Sequence, residues 1–557
     1  MRRALIVAAG VAACTSPPRP FALRDPFVLD TDLRPVSVAC RADSCAPAVY
    51  DSPFIWDHVD NLVFARLSRL LQVRATGEAA NVNSLDEVPD SAWFTNRTGA
   101  DDRSALGACS RDDFLPAPDR VAAGAWKVDH GKDNGSTLGF RVVIDGVKYL
   151  LKADDRDMPE RASAAAVIGT AIYRAIGFNT TCEQVIDVRA QQFAVAPGLS
   201  TIDNTGSRTR FDEAALAHVL ASSTRLPDGS TRMQASKWLD GYAIGAFRYV
   251  GTRDDDPNDI IPHEDRRELR GSRVLAAWLD HWDAREQNSM DVWLASDAGR
   301  PRSSPGYVRH FILDTSDVFG GHVEIAALSS RLGHSYTFDP ADIALDLVTF
   351  GVLERPWDRA GIEPGRERFG YFSARDFDPD RWKPLYPNPA FLRMTERDAA
   401  WMARIIARFS PDDIRRFVDA GKLSRADDAA YLTRILVARQ HLVLARYFAR
   451  LSPLGDIHRA ADGRICATDF ARLRGVFPRF AYTIAERAGA AASAPLAPEL
   501  GADGIVCFAP RAIGGTAAAP RLAVFEVRDG TSAGPLRVHA YDEGTRGFRI
   551  VGAERPE

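Results

Sequence analysis

Leu279-Asp280-His281-Trp282-Asp283-Ala284-Arg285-Glu286-Gln287-Asn288, followed by Phe311-Ile312-Leu313-Asp314, is the stretch on which the fold turns. Upstream of it, residues 266–279 carry apolar Leu269, Leu275, Trp278 and Leu279 among charged neighbours, which predicts a helix. Downstream, residues 290–294 and 307–313 each read as a short strand. The joint between them, 296–306, holds Asp, Gly, Pro and Ser, so a hairpin loop is expected. Such a hairpin returns Asp314 to the neighbourhood of Asn288, and two oxygen ligands converging on one point suit magnesium. Asp and Asn also favour turns and helix caps on their own account. The weight therefore lies on the ordered set and not on any one member.

The chain from Ala125 changes to a strand pattern. Trp126-Lys127-Val128 is short, residues 131–139 are glycine-rich, and 140–144 form a strand. Asp145-Gly146 is a hairpin turn, and the returning strand 147–152 ends on Lys152. Pro159 and Glu160 open a helix with Ala164, Val167, Ile168, Ala171, Ile172 and Ile176, ended by Gly177. Glu160, its only carboxylate, has an ordinary role available in compensating the helix dipole. Residues 181–190 and 232–239 supply further strands, and 200–231 form a polar insertion with a helix around Glu213 to Ala221.

His281-x-Asp283, with Asn288 five residues after the Asp, resembles the catalytic loop of the protein-kinase fold. Over roughly residues 120–450 the chain is similar in style to the HipA-like and CotH-like branches of the atypical kinase superfamily. That resemblance implies an α+β, two-lobed kinase-like fold with a β-rich N-lobe (120–240) and a helical C-lobe (241–454). It implies Asp283 as the catalytic base, Asn288 and Asp314 as magnesium ligands, and Lys152 on the phosphates of ATP or another nucleotide. It further implies a glycine loop, with Gly135 and Gly139, whose backbone approaches the phosphates, and a Glu160 that pairs with Lys152. The glycine spacing departs from GxGxxG, and no Asp-Phe-Gly follows the second strand. The chain there reads Asp314-Thr315-Ser316-Asp317-Val318-Phe319-Gly320, which makes Asp317 a rival to Asp314.

Met1-Arg2-Arg3 and the apolar run Ala4 to Ala13 predict a targeting segment, too short to span a bilayer. It ends Val11-Ala12-Ala13-Cys14, which resembles the lipobox of bacterial lipoproteins. That implies a signal peptide over 1–14, lipidation at Cys14 and anchorage to the cell envelope. Thr15 after the Cys resembles lipoproteins sorted to the outer membrane. Residues 15–119 then read as tether and lead-in, with Trp93 and Phe94 as expected anchors of the dense run 83–97. Six further cysteines in an exported chain make pairing plausible: Cys40 with Cys45, and Cys466 with Cys507.

Residues 59–73 predict a helix with Val63, Leu67, Leu70 and Leu71 turned inward. The charge-dense run 249–268 reads as a solvated loop or a substrate or metal platform, and 322–390 as a long substrate-side loop region. Residues 395–409, 410–420 and 427–451 predict helices. The tail, 455–557, reads as a small β-rich appendage with an Ala-rich spacer at 488–497. A net charge of −4 implies no nucleic-acid partner. The expected partners are the membrane, through Cys14, and an unknown phosphoacceptor or protein. An exported protein meets little ATP, so a non-catalytic binding scaffold stands as the alternative to a phosphotransferase.

Overall fold

The computed structural model describes residues 32–38, 47–50, 54–70, 77–99, 105–110, 113–116, 121–133, 135, 137–296, 304–320, 330–488 and 491–556. Cys14, the targeting run, the tether and the Cys40/Cys45 pair lie outside the described residues. The fold is mixed α+β, with several separate sheets.

Strands β1 (Trp126–Gly131), β2 (Gly139–Ile144) and β3 (Val147–Ala153) are followed by β4 (Asn179–Thr180), β5 (Glu183–Val188) and β6 (Phe193–Val195). Next come β7 (Ser200–Ile202), β8 (Arg208–Arg210), β9 (Thr231–Lys237), β10 (Tyr242–Ala243), β11 (Ser289–Ala295) and β12 (Gly306–Ile312). The first sheet runs β5-β9-β3-β2-β1-β6. The β2–β3 hairpin forms as the turn chemistry dictates, because Asp145 and Gly146 both take positive φ, at 50° and 83°. One face of this sheet buries Trp126, Val128, Phe140, Val142 and Leu151, and the Glu213–Ser222 helix adds Leu216, Val219 and Leu220 to that core.

The Arg161–Ile176 helix packs on β5 and β9. Its Ala-rich sequence has high helix propensity. The Asp154 carboxylate accepts the Glu160 and Ser163 backbone N–H groups at 2.8 and 3.1 Å, which caps its first turn. Although this helix follows β3 in the chain, its apolar residues join the core of the helical body and not that of the sheet. That larger core is built with the helices Arg267–Leu279, Glu396–Ala407, Pro411–Ala420 and Ala426–Phe448. The second sheet, β10-β11-β12-β4, carries the β11–β12 hairpin in unbroken antiparallel register from Ser289↔Ile312 to Ala295↔Gly306.

Trp93 and Phe94 are buried, as expected of anchors, and Trp93 stacks on His310 with ring centroids 3.5 Å apart. Four expectations are corrected. Val63 and Leu67 face solvent, on a helical run in which Asp60–Phe64 is a π turn. The run 249–268 is not a simply solvated loop: Asp256, Asp259, His263, Arg266, Arg267 and Glu268 are buried, His263 pairs with Asp259 at 2.7 Å, and Arg253 pairs with Asp291 of β11 at 3.2 Å. A ten-residue helix, Pro340–Thr349, interrupts the expected loop region. The Ala-rich spacer forms a strand, Ala491–Leu496, paired with Thr483–Ala488 in the five-stranded tail sheet.

Among the described residues two disulfides close long loops: Cys466–Cys507, joining paired strands of the tail, and Cys109–Cys182, joining the lead-in to the turn before β5. Their sequence separations of 41 and 73 residues correspond to about 4 kcal/mol each in a chain-entropy account. Reduction is therefore expected to lower the thermal midpoint of the oxidised protein. Cys466→Ser/Cys507→Ser should reproduce the tail's share of that loss in the absence of reductant, and an unchanged midpoint would count against the assignment.

Candidate functional site

Four of the expected site residues come together. The Lys152 ammonium, at the end of β3, donates to Asp314 Oδ2 at 2.9 Å. Asp314 follows β12 directly and takes a positive φ of 43°, a conformation that Asp tolerates better than most residues. The Asn288 amide donates to both the main-chain carbonyl and Oδ2 of Asp283, at 2.8 and 3.0 Å. The Leu313 N–H donates to the Asn288 carbonyl at 2.9 Å, which closes the hairpin and brings Asp314 back to the loop.

Other elements fix this cluster from three sides. Thr315 Oγ1 lies 3.0 Å from Thr170 Oγ1 and from the Ala166 carbonyl, tying the segment after Asp314 to the Arg161–Ile176 helix. The Phe319 N–H donates to the Leu279 carbonyl at 2.9 Å, tying it to the end of the Arg267–Leu279 helix. His281 meets the Tyr173 hydroxyl at 2.8 Å, and burial lowers its pKa to about 4, so it is a neutral strut. Arg285 bridges Asp283, at 2.9 Å, and Asp57, at 3.0 Å.

The electrostatics follow from burial and crowding. Burial opposes ionisation of Asp314, but the Lys152 ammonium and its hydrogen bond prevail and hold the carboxyl well below the usual range. Burial, only partly offset by Arg285, raises Asp283 to about 6. Asp317 is raised to about 8 by burial and then by the charges of Asp283 and Asp314. Both Asp314 and its rival Asp317 thus belong to one acidic group. Lys132, from the glycine-rich loop, is lowered to about 8 by burial and by the neighbouring Lys152. The pattern of the sequence alone did not single it out. It could have been found as a lysine one residue beyond β1 in the loop that returns to Lys152.

Glu160 does not make the expected pair with Lys152. Its carboxylate takes Arg368 at 2.6 Å and the Ser424 N–H at 3.1 Å. It sits before the first helical turn with φ of 67°, where its side chain reaches the loop ahead of the Ala426–Phe448 helix. The carboxylate that acts on Lys152 from the sheet is Glu183, on β5 at the far side of β9, held by Gln234 at 2.9 Å and Thr181 at 2.7 Å.

The glycines are also placed differently from the expectation. Gly139 pairs with Lys152 across β2–β3, and a Cβ there would collide with the Leu151 carbonyl and come within 3.3 Å of Lys152 Cα. Its role in the described structure is close strand approach. The Gly135 N–H donates to Asn204 Oδ1 at 2.7 Å, so the polar insertion holds that amide.

Among the described residues, no three His, Cys, Asp or Glu side chains already converge at metal-binding spacing. The donor set nevertheless fits magnesium. The Asn288 amide nitrogen is engaged with Asp283, which leaves its oxygen as the donor atom, and Asp314 supplies a carboxylate. Magnesium keeps several waters and needs few protein oxygens. Asp283, Asp314 and Asp317 crowd one another, and a divalent cation among them would favour their charged forms. Comparison with protein-family models, curated proteins and solved structures finds no match to this chain.

Proposed function

We propose that the protein is an exported, lipid-anchored component of the cell envelope whose kinase-like, two-lobed body transfers a phosphoryl group from a magnesium nucleotide, ATP or another, to a hydroxyl acceptor. In this reading the β5-β9-β3-β2-β1-β6 sheet is the N-lobe and the helical body the C-lobe. The observation that supports it most is the contact of Lys152 with Asp314 beside the Asp283–Asn288 pair. A lysine from a sheet and an acid–amide pair from a loop meet where an anionic phosphate and a cation would both be accommodated.

Each residue has a role its surroundings allow. Lys152 and Lys132 bring two ammonium groups to the phosphate side. Asn288 and Asp314 would hold magnesium, which when bound neutralises phosphate charge. Asp283, raised toward neutral pH by burial, accepts the proton of the attacking hydroxyl. Phosphoryl transfer needs chiefly position and charge neutralisation, so this set suffices. One observation favours the scaffold alternative: Glu160, expected on Lys152, is turned away from it to Arg368.

The test is thermal stabilisation by nucleotides with magnesium. A ligand at 100 times its Kd stabilises by about 2.7 kcal/mol, which is a shift of several degrees. The expected result is a shift that requires both nucleotide and magnesium. No shift with any purine or pyrimidine nucleotide would leave the scaffold reading in its place.

A further inference from the structure

The ten-residue Pro340–Thr349 helix has no buried residue. A surface helix ordinarily turns its apolar side to the core. Here Leu347 is 74% exposed and Val348 77%, and just beyond the helix Phe350 is 92% exposed and Val352 81%. The side held to the protein is the polar one: Asp342 and Asp346 pair with Arg355, and Asp339 pairs with Lys383 at 2.6 Å. A second apolar stretch, Phe54–Leu70, meets the segment that leads into this helix. Arg66 donates to the Phe338 carbonyl and sits 5.5 Å from the Tyr336 ring. Ile55, Trp56, Val63, Phe64 and Leu67 of that stretch are exposed too. The patch adjoins the candidate site, because Asp57 of the same stretch bonds Arg285 beside Asp283.

We propose that this surface rests on a lipid bilayer, with the side chains at 347, 348, 350 and 352 inserted at the interface. The proposal depends on the envelope reading above. Three observations favour lipid over another occupant. Leu347, Val348, Phe350 and Val352 are each about three-quarters exposed or more, so they stand out from the described surface, which suits a fluid apolar phase that can close around them. Cys14, the expected lipid attachment, precedes Asp32 by 18 residues, and Asp32 is fixed to the body by the Ala92 N–H at 2.9 Å. Eighteen residues span at most about 60 Å, so anchor and patch can meet one membrane. Carboxylates outnumber guanidinium groups over 54–70 and 330–359, so the attraction is to hydrocarbon and not to anionic headgroups.

The test is flotation with phosphatidylcholine vesicles, using the chain from Thr15 onward. That chain keeps every described residue and lacks both the apolar targeting run and the lipidation site. It is expected to float at low and high salt. Leu347→Ser/Val348→Ser/Phe350→Ser/Val352→Ser should cut the bound fraction at least about tenfold, with the thermal midpoint unchanged. Failure to float, equal binding by the variant, or binding only to anionic vesicles at low salt would each overturn the proposal. So would a concentration-dependent dimer that the four substitutions abolish in the absence of vesicle binding. The envelope reading is tested apart from this by fatty-acid labelling of Cys14 in cells expressing the whole chain. Unlabelled Cys14 with positive flotation would refute the anchor and leave the bilayer contact standing.

Discussion

Asp314→Ala is expected to cost about 2–3 kcal/mol of stability and to abolish the response to magnesium nucleotide, and the two losses should separate when Lys152→Met is added. The Lys152 side chain is 9% exposed, and burial disfavours its charged form. Asp314 more than offsets that penalty, which leaves the ammonium charged. Removing the carboxylate strands a buried cation, and such a loss usually costs 3–5 kcal/mol. The lower figure applies here because the Asp314 side chain is about one-third exposed, so water screens part of the interaction. Lys152→Met removes the stranded charge while keeping most of the side-chain volume. The double variant should therefore recover about 1 kcal/mol or more over Asp314→Ala in urea denaturation, yet remain unresponsive to nucleotide. If the two single losses simply add, Lys152 and Asp314 are not coupled, and the support for a phosphate site between sheet and loop goes with that coupling.

The parts of the site that could be read from the sequence are those fixed by local chemistry. Asp145-Gly146 specifies its hairpin because both turn positions need positive φ. The β11–β12 pair follows from alternation on either side of a Pro- and Gly-rich joint, and it carries Asp314 back to Asn288. The partner of Lys152 was not legible in this way. Glu160 is the carboxylate of the helix that follows β3, but the backbone turn that starts this helix aims it at Ser424 and Arg368. Glu183 reaches the lysine's field through a strand pairing that no local pattern encodes.

Burial was harder still to read. Periodicity identifies the apolar side of a helix and not what covers it, so Val63 and Leu67 were expected inside and lie outside. Charge density predicts solvent, yet Asp259, His263 and Arg266 of the run 249–268 are inside, where they pair with one another. The Ala491–Leu496 strand has little intrinsic β preference, and its pairing with Thr483–Ala488 is what makes it a strand.

Asp86→Ala should be the most damaging single change to stability. The dense run 83–97 offered no chemistry by inspection, but its Asp86 is the counter-charge at a junction of three elements. Its carboxylate meets Arg267 at 2.6 Å and Arg555 at 2.6 Å, with Arg404 at 3.7 Å. These arginines come from the Arg267–Leu279 helix, the Glu396–Ala407 helix and the end of the tail, and all three are buried. Asp398 also pairs with Arg267, at 3.1 Å, whereas the Arg555 guanidinium meets Asp86 and the Leu454 carbonyl.

Burial opposes the charge on Asp86. Arg267 and then Arg555 overcome that penalty and hold its pKa below the ordinary carboxylate value. A depressed folded-state pKa contributes stability that is fully present above the unfolded value, near 4, and is lost as pH falls below it. At neutral pH Asp86→Ala strands buried guanidinium groups, and the expected loss is about 3–5 kcal/mol by chemical denaturation. Asp86→Asn, which keeps a hydrogen-bond acceptor and tolerates the positive φ of 62°, should fall between the two. Because the wild-type protein gives up this contribution in acid, the gap between wild type and Asp86→Ala should narrow as pH drops below 4. A loss under about 1 kcal/mol at pH 7, or a gap that does not depend on pH, would mean that the guanidinium cluster is balanced without Asp86. The lead-in would then be held by its other contacts, the packing of Trp93 and Phe94 and the hydrogen bond from Trp401 to Glu87 among them.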